Sequence, residues 1–151
     1  MGDFTINISI PTDDDGFVLL QCPKCGEYFK LPPADNESDD VLDIYCPLCG
    51  LISDNYLTED VIELAQAKAL NHVLGDFYVE MKKLERKSKN SIVKIKANKP
   101  NEVEEIPIKS TIDSMEIIDF ECCNREAKIR HLLNYCGCYC PYCGGHNDGS
   151  N

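Results

Sequence analysis

Two copies of a short cysteine motif decide the fold of the first third of the chain: Cys22-Pro23-Lys24-Cys25-Gly26 and Cys46-Pro47-Leu48-Cys49-Gly50. Each copy is a knuckle, a tight turn in which two cysteines point their sulfurs to one side. Proline after the first cysteine preorganises the turn, and glycine after the second supplies the positive φ with which the chain leaves it. The 20 residues between the knuckles are a spacing typical of metal sites formed by four sulfurs.

Four cysteine thiolates at this spacing predict a tetrahedral zinc site. Its ligands are Cys22, Cys25, Cys46 and Cys49. Because protein sulfur fills all four positions, no position remains for water or substrate, and such a site is structural rather than catalytic. Iron is the competing metal, since rubredoxin-type sites use the same knuckles. Disulfides and a redox dithiol are further alternatives, but the matched pairs and the lack of an export signal or a βαβ pattern disfavour them.

A third knuckle lies near the C-terminus, at Cys140-Pro141-Tyr142-Cys143-Gly144. One knuckle supplies two ligands, so a second site needs two more cysteines about 15–20 residues away. Cys122 and Cys123 stand at that distance and complete the predicted set. Adjacent cysteines turn towards one ion less readily than a spaced pair does, so alternatives to one of them stay open. These alternatives are His131, Cys136 and Cys138. A cysteine left out of the site is expected to be a small buried apolar residue. The sequence thus predicts two zinc ions.

The remaining pattern predicts a small α+β protein in four parts. Residues 1–57 form an antiparallel zinc ribbon, 58–88 a helix, 89–114 a linker with a short strand, and 115–151 a second, ribbon-like cysteine-rich zinc module. Alternating or short apolar runs predict the strands. They cover Phe4–Ile10, Phe17–Leu20, Glu27–Leu31, Val41–Tyr45, Ile92–Lys96 and Met115–Phe120, with a return strand or short helix at Ala127–Leu133 and a loop at Ala34–Asp40.

The one long helical pattern runs from Thr58 to about Lys87. Thr58 suits the N-cap, and acidic residues follow it at the positive end of the helix. Apolar residues recur at steps of three and four and form one stripe. The stripe consists of Leu70, Leu74, Phe77, Met81 and Leu84. Such a stripe predicts packing into a core, and the competing interpretation is a homodimer that pairs the helices of residues 58–87.

Charge is strongly divided along the chain. The formal net charge is −11, and eight thiolates holding two zinc ions would bring it to about −15. Residues 82–99 carry eight basic residues against one acidic residue. An acidic protein is repelled by phosphate backbones unless its positive charge is segregated, as it is here. The net charge therefore disfavours nucleic acid as a partner, but the basic segment keeps it as an alternative. Its predicted contacts are Lys82, Lys83, Arg86 and Lys87.

The first two knuckles resemble a known metal-binding family. The stretch from Phe17 to Gly26, with Cys46-Pro47-Leu48-Cys49-Gly50, is similar to the zinc ribbon of transcription factor IIB, and the layout resembles uncharacterised bacterial proteins that contain a ribbon of this type. The resemblance covers about residues 17–56. It implies the ribbon fold and zinc at the four cysteines. It implies no transcription role, because the helical repeats that follow the ribbon in that factor have no room here.

These observations predict a non-catalytic zinc protein that acts as an interaction module or adaptor for another protein, with an aromatic contact at an exposed hairpin tip, Glu27-Tyr28-Phe29. The alternative is a nucleic-acid-binding, transcription-related ribbon protein that uses residues 82–99. No Ser-His-Asp set, phosphate loop or spaced His-Glu-His motif indicates an enzyme. His72 is expected to pack and His146 to be solvated. No apolar run is long enough for a membrane span, and the first residues lack the pattern of a secretory signal, so a cytoplasmic location is expected.

Overall fold

The computed structural model describes residues 3–108 and 112–149. The chain divides into two units. A sheet unit combines Ile10–Glu59 with residues 112–149, and a helical unit combines residues 3–9 with Asp60–Ile108. The fold is small α+β, with an antiparallel sheet, one long helix and two groups of four cysteines. The predicted fold class is confirmed.

The sheet unit is built on four antiparallel strands in the order β1-β2-β4-β3. They are β1 (Val18–Gln21), β2 (Tyr28–Leu31), β3 (Met115–Phe120) and β4 (Arg125–Arg130). β1 and β2 form the hairpin of the first knuckle, and β3 and β4 form the hairpin whose turn carries Cys122 and Cys123. The Lys30–Lys128 pair joins the two hairpins. One sheet thus unites two segments that the sequence analysis placed in separate modules, and the predicted boundaries themselves stay a prediction.

Shorter elements complete the sheet unit. They are α1 (Pro33–Asn36), α3 (His131–Cys136), β5 (Cys138–Tyr139) and β6 (His146–Asn147). β5 and β6 pair around the third knuckle. Aromatic and aliphatic side chains fill the space between the sheet and the knuckles. The largest buried members are Phe29, Leu31, Phe120 and Ile129.

The helical unit contains α2 (Glu59–Ser88), a helix of 30 residues. It matches the predicted helix to within one residue at each end. The prediction that its stripe packs into a core is wrong: Phe77 is 62% exposed and Leu70 48% exposed. Only Val61, Ala67 and Ser88 of this helix are buried. Among the described residues, no helix combines the length and apolar character needed to cross a membrane.

Several predicted strands are absent. The structure contains no strand at Phe4–Ile10 or Ile92–Lys96, and Val41–Tyr45 contributes a single bridge, from Tyr45 to Ile52. Alternation makes a segment suited to a strand, but a strand also needs a neighbour whose backbone groups it can pair with. In the predicted loop Ala34–Asp40, a turn of helix forms instead at its start. The linker prediction for 89–114 includes residues 109–111, which lie outside the described residues.

The predicted aromatic hairpin tip, Glu27-Tyr28-Phe29, is also corrected. Phe29 is fully buried in the core, and Glu27 is 4% exposed. The Glu27 carboxylate accepts a hydrogen bond from Arg130 Nε at 2.5 Å. Glu27 therefore ties the first knuckle to the end of β4, and no exposed aromatic platform exists there.

Two buried lysines on neighbouring strands share a carboxylate, that of Asp13. Lys30 and Lys128 are direct cross-strand partners, an arrangement that is unfavourable for like charges. Both ammonium groups donate to Asp13 Oδ2, at 3.0 Å from Lys30 and 2.7 Å from Lys128. Lys128 also donates to Asp15 at 2.5 Å. Burial opposes ionisation of Asp13, but these donors and the Phe17 amide outweigh it and hold the pKa of Asp13 well below its usual range.

We predict that Asp13→Asn lowers the free energy of unfolding by about 2 kcal/mol, because it removes the carboxylate that both buried ammonium groups contact, and only Lys128 keeps a second one, Asp15. Asp14→Asn is the matched control: Asp14 is exposed, and its loss should change stability by less than about 0.5 kcal/mol. Urea unfolding of the metal-loaded protein measures both. Equal stabilities for the two variants would contradict the role given to Asp13.

Candidate metal centres

The three knuckles have the same backbone hydrogen bonds. In the first, the Cys22 amide donates to the Glu27 carbonyl at 2.8 Å and the Gly26 amide to the Cys22 carbonyl at 2.9 Å. The second and third knuckles repeat both bonds at 2.8–3.0 Å. The glycine that ends each knuckle has a positive φ, of 78° at Gly26, 67° at Gly50 and 71° at Gly144. In each knuckle the first cysteine is buried and the second is more exposed.

The first cluster consists of the four cysteines predicted from the sequence: Cys22, Cys25, Cys46 and Cys49. All four sulfurs lie within 4.8 Å of one another. The Cys22–Cys49 sulfurs are 3.8 Å apart and the Cys25–Cys46 sulfurs 3.4 Å apart. A disulfide would need about 2.0 Å, whereas sulfurs about 2.3 Å from a central zinc ion form a tetrahedron with edges of about 3.8 Å. The arrangement fits a metal ion and not a disulfide.

The second cluster consists of Cys122, Cys123, Cys140 and Cys143. The Cys123–Cys140 sulfurs are 3.9 Å apart and the Cys122–Cys143 sulfurs 3.5 Å apart. Both adjacent cysteines reach the cluster because they lie in the turn between β3 and β4, which Asn124 leaves with a φ of 51°. Two four-cysteine groups, compatible with two metal ions, are therefore present among the described residues.

The alternative ligands for the second site lie elsewhere. His131 contacts Glu116, Cys136 ends α3 in an exposed position, and Cys138 is buried in the core. Burial raises the pKa of the Cys138 thiol, as expected for a cysteine that serves as a small apolar residue. Neither of the other histidines joins a cluster: the His72 ring stacks on Phe4, with centroids 4.3 Å apart, and His146 packs against Tyr139.

Within each site the thiols differ in acidity. Burial opposes ionisation of Cys22, but amide donors in its own knuckle outweigh burial and lower its pKa. At Cys46 burial prevails and raises the pKa. The second site repeats the contrast, since burial raises the pKa of Cys123 to about 11 while an amide two residues on helps to lower the pKa of Cys143 against burial. A metal ion that displaces the thiol protons would stabilise all four sulfurs as thiolates, so metal binding releases protons.

The second and third knuckles bind each other reciprocally. Tyr45, just before Cys46, donates its amide to the Pro141 carbonyl at 2.8 Å. Tyr139, just before Cys140, donates its amide to the Pro47 carbonyl at 2.9 Å. In each direction, the amide of the tyrosine before one knuckle donates to the proline carbonyl of the other knuckle. The second knuckle belongs to the first metal site and the third knuckle to the second site. The two sites are therefore joined by direct hydrogen bonds between their knuckles.

The two tyrosine rings complete this contact. A β-carbon added at Gly50 would lie 2.9 Å from the Tyr139 ring, and one added at Gly144 would lie 2.7 Å from the Tyr45 ring. Each ring therefore lies directly over the glycine of the other knuckle. Sequence reasoning missed Tyr45 and Tyr139, although a signal exists: Tyr-Cys-Pro-x-Cys-Gly occurs twice, whereas Gln21 precedes the first knuckle.

Further hydroxyl groups brace the knuckles. The Tyr56 hydroxyl donates to the Ile44 carbonyl at 2.5 Å and accepts from the Ser53 amide at 2.9 Å, so it joins the chain on both sides of the second knuckle. Inside the third knuckle, the Tyr142 hydroxyl donates to the Glu126 carbonyl of β4 at 2.6 Å. These bonds connect both clusters to the sheet unit that carries them.

Comparison with protein-family models, with curated proteins and with solved structures finds no match to this chain. The resemblance to ribbons of the transcription factor IIB type therefore stays a prediction. The cysteine geometry carries the argument for metal binding.

We predict that Gly50→Ala disturbs both metal sites, because the new methyl group displaces the Tyr139 ring next to Cys140. The substitution should lower the free energy of unfolding by about 2–3 kcal/mol. Gly26→Ala is the matched control: it has a similar φ of 78°, but its added carbon meets nothing within 4 Å. Gly26→Ala should lower the free energy of unfolding by about 1 kcal/mol, because it adds only the strain of a left-handed backbone.

The readout is cysteine alkylation during a chelator challenge, resolved by peptide mass spectrometry. In Gly50→Ala, Cys122, Cys123, Cys140 and Cys143 should react severalfold faster than in the unaltered protein. In Gly26→Ala these four should react as before, while the first site loosens. If the second site reacts alike in both variants, the knuckles do not transmit changes between the sites.

Proposed function

We propose that this is a non-catalytic protein in which two structural zinc ions hold a rigid scaffold for binding another protein. The observation that carries the proposal is the pair of four-sulfur clusters, whose sulfur separations fit tetrahedra around one ion each. Zinc suits them because thiolates are among its preferred ligands and its full d shell imposes no other geometry. With protein sulfur at every position, neither ion would have a site open to a substrate.

The scaffold role follows from the small size of the core. The buried cluster of the sheet unit includes the first cysteine of every knuckle, each with no exposed area: Cys22, Cys46 and Cys140. A unit of this size buries little apolar surface, whereas zinc bound by thiolates contributes about 10–16 kcal/mol in small metal domains. The metal therefore supplies stability that the apolar contacts alone would lack.

Interaction with a protein is supported by the surface of α2. Its stripe leaves large apolar side chains in solvent, among them Leu70, Phe77 and Leu84. A contiguous apolar face on a helix is typical of a surface that a protein partner covers. The partner proposed here binds this face, and the metal centres keep the sheet unit folded.

We predict two zinc ions per chain by native mass spectrometry with elemental analysis. Cys22→Ser should abolish the first site and unfold its hairpin, and Cys140→Ser should abolish the second, because each replaces a buried ligand. Cys136→Ser is the control: Cys136 is exposed and outside both clusters, so the variant should retain two ions.

Three results would contradict this assignment. Iron in place of zinc would refute the identity of the metal. A single ion in the unaltered protein would remove one of the two sites. Unchanged melting and strand signal in Cys22→Ser would show that the fold does not need the metal.

Nucleic-acid binding is a second candidate, supported by one observation. The side chains of Lys82, Lys83, Arg86 and Lys87 are exposed in the last two turns of α2. At 100° per residue Lys82, Lys83 and Arg86 project about 120° or more around the helix from Phe77, while Lys87 lies about 80° from it and borders the apolar stripe. Together they make a basic face beside the stripe. Phosphate contacts need such a face, although residues 82–99 contain no aromatic residue for base stacking.

If this second candidate is right, a gel shift with DNA or RNA should weaken steeply as salt rises. Replacing Lys82, Lys83, Arg86 and Lys87 by Glu should abolish the shift while the two metal ions remain. Binding that is absent at low salt, or that survives the charge reversal, would exclude this role for the basic face.

A further inference from the structure

Most of the apolar stripe of α2, together with Val73 beside it, is symmetric about Phe77. Leu70 and Leu84 lie seven residues to either side of it, and Val73 and Met81 lie four residues to either side. Steps of four and seven residues keep all of them on one side of a helix. The stripe spans about four helical turns. Reversed end for end, the set Leu70, Val73, Phe77, Met81 and Leu84 presents an apolar residue at each of the same positions, whereas Leu74 takes the position of Glu80.

Among the described residues of the helical unit, none covers the centre of this stripe. Phe77 is 62% exposed, Val73 54% and Leu84 45%. Other segments of the unit contact α2 at Asn71, which donates to the Val103 carbonyl at 2.9 Å, and at His72, which stacks on Phe4. Near the helix end, Ser88 Oγ accepts from the Ile95 amide at 3.2 Å and the Glu85 carboxylate accepts from the Ala97 amide at 3.4 Å. Asn71 and His72 lie more than about 100° around the helix from Phe77, and Glu85 and Ser88 lie beyond Leu84 at the helix end, so the side chains of Val73 and Phe77 stay exposed.

The charges along the same side of the helix differ at its two ends. Glu59 and Glu63 continue the line of the stripe towards the helix start, because they lie five and four turns before Phe77. Lys87 borders the stripe in the last turn, and Lys89 follows the helix end. The first two turns of the helix are therefore acidic, and its last two turns are mainly basic, with Glu85 as their one acidic residue.

We propose that the partner of this face is a second copy of the chain, paired antiparallel through α2 and centred on Phe77. This proposal rests on the proposed function, because it names the protein partner that the proposed function requires. In the antiparallel pair Leu70 of one copy meets Leu84 of the other. Glu63 of one copy lies within about one helical turn of Lys87 of the other. A parallel pair would instead place Glu59 and Glu63 against the same residues of the second copy, where like charges repel.

Sedimentation equilibrium of the full-length, zinc-loaded chain tests the pairing. We expect a dimer, and Phe77→Glu should raise the dimer dissociation constant by more than about tenfold, because it would bury an unpaired carboxylate. Val79→Glu is the matched control: Val79 is 52% exposed but lies about 200° around the helix from Phe77, so this variant should dimerise normally. An unaltered chain that sediments as a monomer, or equal effects of the two variants, would overturn the pairing.

Orientation is tested with a photo-cross-linking amino acid in place of Leu70. The antiparallel arrangement predicts a cross-link to the peptide that contains Leu84, and a cross-link to the peptide around position 70 would overturn it. Zinc content is measured in the same samples. A monomer that still holds two zinc ions overturns the helix pairing but leaves the proposed scaffold intact, whereas a dimer without zinc counts against the scaffold and not against the pairing.

Discussion

Sulfur geometry is the constraint on which the sheet unit depends. Eight cysteines are brought into two groups whose sulfurs are too far apart for disulfides and close enough to surround one ion each. The buried cysteine of each knuckle is also part of the core, next to aromatic side chains such as Phe29 and Phe120. Metal bound at these sulfurs would therefore stabilise the same small volume that the apolar packing fills.

The reciprocal contact of the second and third knuckles makes the two sites one structure. Tyr45 and Tyr139 each give an amide to the proline carbonyl of the other knuckle and a ring to its glycine. The glycines that end these knuckles therefore have two reasons to lack a side chain: a positive φ and a ring in direct contact. Gly26 has only the first reason, because no ring lies against it. The pairing also explains why segments about 90 residues apart in sequence belong to one unit.

Much of the secondary structure and of the metal-site residues could be predicted from local sequence patterns. The knuckles follow from residue type and spacing, β3 begins and ends at the predicted residues, and α2 follows from its apolar period. Long-range partners were not predictable. The Lys30–Lys128 pairing and the Tyr45–Pro141 bond join residues whose local patterns do not indicate each other. The predicted strand at Ile92–Lys96 failed for the same reason, since alternation does not specify a neighbour to pair with.

The helical unit has the opposite character to the sheet unit. It has few buried side chains and an apolar stripe in solvent, and a lone amphipathic helix gains most of its stability from packing. The association of the helical unit is therefore independent of the candidate metal centres, which lie in the sheet unit. X-ray absorption spectroscopy at the zinc edge tests the metal centres most directly. The account predicts four sulfur neighbours per ion at about 2.3 Å and no lighter ligand; an oxygen or nitrogen neighbour at about 2.0 Å, or fewer than four sulfurs, would contradict it.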